Sequence, residues 1–347
     1  DGAWILRATA RLPGSPLAQG LVLATGLLAA ELLAALATPA ARRLDFSWFR
    51  ILALPLLSGY LLVALHAIVA AGSRALGELA PVLELDPAER ARLARALRAP
   101  RRAVAWAAAA VGVGIPVGVA LLLPEVRADA LGGHPQLLAF GAMAALFWWL
   151  TAQGAALLLI QARRFHDLAL SRLRVDLFDP ASLAPFGRLA VRNALLVSGA
   201  VALGVALAAT PDARAAWLLR IEVARGVGLL ALFLAAGAAC GLVALALPLL
   251  GVHRRLRREK EAALARLARA LPRHDAATQA AAASEGGGAT EPTRTAALLV
   301  VRDALEAAPE WPLDASMLRR FGLYALLPAA SWLLRLALEE GLGRALG

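Results

Sequence analysis

A chain of 347 residues that is 60% apolar, with a mean hydropathy of +0.66, exceeds what an ordinary soluble domain carries, so lipid must be the solvent for much of its surface. The formal net charge of +11 falls in short blocks between apolar runs rather than along one stripe, which argues for membrane topology and against nucleic acid as a partner. A single cysteine, Cys240, excludes an intrachain disulfide and a cysteine-built metal centre, and reads as a packing residue.

Of the 36 basic residues all but Lys260 are arginine, which together with the abundance of Ala and Leu reads as GC-rich coding and a bacterial source. The chain starts at Asp1 rather than Met, so the N-terminus reads as processed or trimmed.

A helix needs about 20 apolar residues to cross a hydrocarbon core about 30 Å thick. Six stretches meet that length: Leu17 to Thr38, Trp48 to Ala71, Ala103 to Leu123, Leu137 to Leu159, Leu189 to Ala209 and Val223 to Leu250. None shows the alternating polarity of barrel strands, and backbone groups in lipid must be satisfied within the segment, so the spans are predicted to be helices. The expected fold is all-α, a polytopic transmembrane helix bundle of about six spans with cytoplasmic amphipathic helices.

Arginine placement orients this bundle. Seven arginines (Arg74, Arg90, Arg92, Arg95, Arg98, Arg101, Arg102) lie between the second and third spans, and five (Arg163, Arg164, Arg172, Arg174, Arg188) between the fourth and fifth. Span six runs straight into Arg254, Arg255, Arg257, Arg258 and Lys260, whereas the opposite loops hold only Arg127, Arg214 and Arg220. Both ends of the six-span core are therefore expected in the cytoplasm, in a bacterial inner membrane. Arg42, Arg43 and Arg50 run against this pattern, and a re-entrant first hairpin is the alternative there.

Between the spans, Asp86-Pro87-Ala88-Glu89 predicts a helix start, with a helix to Arg98 that carries Leu93 and Leu97 on one face and arginines on the other. It either lies among inner-leaflet headgroups or packs under its own bundle. Asp179 before Pro180 reads as a cap, and Pro185 as the opening of the next helix. Past span six, Leu256, Leu264, Leu267 and Leu271 form a stripe from His253 to Leu271, with Arg255–Glu259 and Arg257–Glu261 pairs one turn apart. Ala276 to Thr290 is rich in Ala, Ser and Gly and is predicted to be a tether.

A helix over Thr295 to Ala308, with Leu298, Val301 and Leu305 on one face, should follow. Asp314 is read as the cap of the last segment, apolar from Phe321 to Leu334, which is expected to be a short interfacial or re-entrant helix. If Arg335 snorkels, it becomes a seventh crossing. The resulting partition is a membrane hairpin (1–72), a cytoplasmic helix and loop (73–102), a four-helix core (103–250), a charged helix (251–272), a flexible linker (273–293) and C-terminal membrane-associated helices (294–347).

Charge inside a span carries a functional default because lipid solvates it poorly. Glu31 and His66 are the two ionisable candidates, but in an antiparallel hairpin their depths differ by roughly 14 Å, too far for a proton relay. His66 reads more simply as a neutral histidine satisfied near the inner interface. Gln153 either lines a polar path or bonds a neighbouring helix, the second being favoured. Gly114 and Gly118 flank Pro116 in span three, and Gly237 and Gly241 stand in span six. Both are small-xxx-small pairs expected at helix contacts, with Pro116 as a kink or hinge.

The chain has no phosphate-binding Gly-rich loop with Lys-Ser/Thr, no His-Glu-x-x-His and no Gly-x-Ser-x-Gly. The five histidines (His66, His134, His166, His253, His274) are scattered, so no catalytic residue, metal or cofactor is assigned. The expectation is a homo-oligomeric channel or transport-type protein without enzymatic chemistry, in contact with anionic inner-leaflet lipids. The alternative is a non-conducting sensor or scaffold that presents cytoplasmic helices to a protein partner.

Overall fold

A computed structural model describes residues 14–39, 48–98, 102–122, 135–208, 223–283 and 291–308, with Trp311, Arg319, Gly322, Leu326 and Ala330 beyond them. Eight α-helices and one 3-10 turn make up the described chain, with a lone antiparallel bridge between Leu83 and Leu173.

Helix α1 (Pro16–Ala37) starts where its chemistry says it should. Ser15 accepts a hydrogen bond from the Ala18 N–H at 3.2 Å, and Pro16 occupies the first turn, where a missing N–H is harmless. Helix α2 (Trp48–Glu78) stays continuous through Pro55 and runs to Glu78 rather than stopping at Ala71. Next come α3 (Pro87–Arg98) and α4 (Arg102–Leu122), the latter continuous through Pro116. In α3 the Glu89 N–H donates to Asp86 Oδ1 at 2.6 Å, as the cap sequence predicts.

Helix α5 (Pro135–Ser171) extends well past Leu159, because its amphipathic continuation still has a core to cover. A 3-10 turn (Pro180–Leu183) leads into α6 (Ala184–Ala208). Asp179 sits at the cap position without a side-chain cap bond. Asp176 makes the local turn instead, accepting from the Phe178 N–H at 2.9 Å.

Helix α7 (Val223–Ala283) is one unbroken element of 61 residues, and α8 (Glu291–Ala307) follows it. The residues expected to form a tether are thus helical as far as Ala283. Alanine has the highest helix propensity, and a stretch that extends an existing helix pays no nucleation cost. The remaining tether residues, 284–290, lie outside the described residues, as do Arg42, Arg43, Arg127, Arg214 and Arg220 of the connections between spans. The segment from Phe321 to Leu334 does too, apart from Gly322, Leu326 and Ala330.

Five of these elements are long and apolar enough to cross a membrane: α1, α2, α5, α6 and the Gly237–Arg269 part of α7. Helix α4, expected as the third span, forms with 21 residues, about 32 Å at 1.5 Å per residue, and is not among those five.

Helix α5 is the hub, packing against α1, α2, α3, α4 and α7, while α6 lies between α2 and α7. One core, built on Leu65, Ile68, Leu150, Leu157, Leu158 and Ala244, fills the middle of the bundle. A second core gathers at the arginine-rich end, where Phe165 meets Phe186 edge-on at 5.9 Å among Leu79, Leu97, Leu183 and Val252. There the connection after α2 is stitched to the one after α5, with Glu84 N–H donating to Arg172 O and Arg174 N–H to Val82 O, each at 2.9 Å. Leu97 is buried and Leu93 packs beside it, so α3 is packed under its own bundle.

Candidate functional site

Polar side chains between the helices of the bundle are the natural place to look for chemistry, since each must find a partner where water is scarce. Glu31 on α1 is 1% exposed and accepts from Gln136 Nε2 at 3.5 Å, in the first turn of α5, where backbone N–H groups favour a carboxylate. His66 lies 2.9 Å from the Leu62 carbonyl through Nδ1, one turn back on its own helix. The two candidates therefore have separate partners, Gln136 for Glu31 and the Leu62 carbonyl for His66. Gln153 donates to the Ala105 carbonyl of α4 at 2.8 Å, which makes it a bond between neighbouring helices.

A further pair escaped the sequence reading. Gln161, 1% exposed, donates to the Ile68 carbonyl at 3.1 Å and accepts from Asn193 at 2.8 Å, tying α2, α5 and α6 together. The signal was present in the spacing: Gln161 and Asn193 both interrupt otherwise apolar stripes near the arginine-rich ends of their helices. Tyr60 makes a similar link, its hydroxyl donating to the Leu196 carbonyl at 2.8 Å.

The glycine candidates divide. Gly237 and Gly241 do face a neighbour, Val201 and Val197 of α6 respectively. Gly114 and Gly118 look into open space, and the close approach in α4 is made by Gly112 instead, where an added Cβ would sit 2.5 Å from Trp149 Cα. A second unforeseen crossing is between Gly20 and Gly59, where a Cβ on Gly20 would lie 2.8 Å from the Gly59 carbonyl oxygen. Spacing alone marks small residues but not the side of the helix that meets a partner.

At the arginine-rich end Arg188 pairs with Glu78 at 2.6 Å and Arg172 with Glu89 at 3.4 Å. A shallow cleft of about 250 Å³ opens beside the second pair, with Arg164 and Asp167 on its rim and Leu85 and Leu93 in its floor. Arg172 there is engaged by Glu89, and the Ser171 hydroxyl is spent on the Asp167 backbone carbonyl at 2.7 Å. Among the described residues no three His, Cys, Asp or Glu side chains converge to hold a metal ion.

Beyond the bundle α7 carries α8. Lys260 donates from Nζ to the Glu306 carbonyl at 2.8 Å and to the Ala308 carbonyl at 3.1 Å, so the only lysine of the chain closes the C-terminus of α8. Leu305 is buried and Leu298 half-buried in this contact, whereas Val301, expected on the same face, is 41% exposed at its edge. Arg302 is held above the usual arginine range by its hydrogen bond to Glu306 at 2.8 Å. Trp311 stacks on His253 of α7 at 4.2 Å between ring centroids. No family model matches the chain, and comparison with curated proteins and with solved structures finds no similar one.

Proposed function

We propose that this chain is a multi-pass membrane protein that serves as a non-conducting sensor or scaffold, with its arginine-rich end in the cytoplasm of a bacterial inner membrane and α4 as a sixth span. The observation that carries this reading is the continuity of α7. From Leu256, which is buried, the helix runs 27 residues further to Ala283 (283 − 256), about 40 Å of rise, and α8 is clamped along it by Lys260. The helix stays continuous through its own Pro248 and Pro272, so a tilt of α7 within the membrane is carried to α8, which is the mechanical property a sensor needs. The outward face of α8, with Leu299, Val300 and Val301, is what it would present to a partner.

The polar groups inside the bundle support the same choice. Gln153, Gln161, Asn193 and Tyr60 are all engaged in bonds between helices, which leaves little polar lining for a path through one chain. A coupled transporter would also want broken helices around a midplane site. The homo-oligomeric channel keeps one observation in its favour, the open face of α4 at Gly114 and Gly118, on which a second copy would fit.

The discriminating experiment is planar-bilayer recording of the purified full chain, with its subunit count taken on the same preparation. Silence across voltages and lipid mixtures is expected. Discrete currents that change in Gln153→Leu or Glu31→Gln would replace the scaffold by the channel.

A further inference from the structure

The ion pair between Glu78 and Arg188 fixes the register of two antiparallel helices, α2 and α6. One turn further into the bundle on α2 is Arg74, and one turn further on α6 is Arg192, so the register of that pair brings the two arginines to neighbouring positions just inside it. Arg74 is the first charged residue after the apolar run that begins at Ile51, and Arg192 is the last before the run from Asn193 to Ala208. Each marks the end of its helix's lipid-compatible length, at the depth of the headgroups. Arg98, at the end of α3, reaches the same place by donating to Ser73 beside Arg74 at 3.4 Å.

We propose that Arg74 and Arg192, flanked by Arg98, form a binding site for the phosphate of an anionic phospholipid headgroup at the arginine-rich end of the bundle. Two guanidinium groups at neighbouring positions across a helix pair are repulsive until an anion lies between them, and a phosphate matches their planar donors in geometry as well as charge. Of the two, Arg74 donates from Nε to the Ala70 carbonyl of its own helix at 3.4 Å. Neither has a carboxylate partner among the described residues, Glu78 being committed to Arg188. A lipid is the source that fits, because both arginines end apolar helix faces along which acyl chains lie, and a lipid brings its phosphate to that depth while a free ion must be desolvated to reach it. The proposal rests on the membrane reading of the helices and not on the scaffold: a chain that conducts would bind the same lipid.

The test is native mass spectrometry of the delipidated full chain titrated with phosphatidylglycerol, phosphatidylcholine or inorganic phosphate. The unmodified chain should retain phosphatidylglycerol in preference to phosphatidylcholine. Arg74→Gln combined with Arg192→Gln should weaken that retention by about tenfold or more. Arg266→Gln with Arg269→Gln, which removes the same charge from the exposed part of α7, should leave it unchanged. Equal retention by the two glutamine pairs, equal binding of both lipids, or displacement of the lipid by millimolar inorganic phosphate would each overturn the assignment. A second measurement needs no variant: bound phosphatidylglycerol should shield Arg74 and Arg192 from phenylglyoxal while Arg266 and Arg269 react, and uniform labelling would overturn it equally.

Discussion

Gly112 and Gly114 stand two residues apart on α4 and make opposite predictions. At Gly112 a side chain would meet the Trp149 backbone, which cannot swing away, whereas nothing lies within 4 Å of the Cβ position at Gly114. Gly112→Leu should lower stability by about 1–3 kcal/mol through overpacking, and Gly114→Leu should stay within about 0.5 kcal/mol, as read from thermal melts in one detergent. The Gln161–Asn193 bond invites a double-mutant cycle with leucine at both positions. A coupling energy of about 0.6 to 1.7 kcal/mol is expected for a hydrogen bond between membrane helices, and a value near zero would mean that each amide finds another partner when alone. The ion pair of Arg188 with Glu78 is short but about half exposed on both sides, so its removal should shift stability by at most about 1 kcal/mol.

Among the helices α7 sets the geometry that matters most. A further proline between its own Pro248 and Pro272, for instance Ala263→Pro, removes a backbone bond and clashes with the preceding turn, at about 3 kcal/mol. The expected outcome is a bundle that still folds but a broadened distance distribution between spin labels at Leu256 and Val300; an unchanged distribution would show that α8 is positioned by something other than the rod. Lys260→Met tests the other end of the coupling. Without the ammonium the last carbonyls of α8 lose their donor, and amide hydrogen exchange over residues 300–308 should quicken several-fold while α5 is untouched. The arginine-rich end shows that α3 belongs to the packed fold: its Leu97 closes the core around Phe165 and Phe186.

Among the described residues, the bundle's interior polar groups hold helices together and its ion pairs lie at the arginine-rich end and along α7 and α8. That arrangement is the basis for expecting electrical silence in a bilayer. It also predicts that Gln153→Leu acts on stability and not on permeability, because the amide is used on the Ala105 carbonyl.

The helical class, the positions of the apolar segments and the Asp86 helix start were legible in the residues alone, since length, hydropathy and capping are local properties. So were the one-turn pairs of Arg255 with Glu259 and Arg257 with Glu261, seen at 3.0 and 2.8 Å. The apolar runs fall short of the helix ends in α2, α5 and α7, because a lipid-length run marks only the apolar part while the helices continue as amphipathic rods. Which glycine meets a neighbour, which amide finds which carbonyl, and that Arg74 comes to neighbour Arg192 all depend on the rotation and register of one helix against another. Those quantities arise from contacts between residues distant in the chain, and no periodicity within a single helix encodes them.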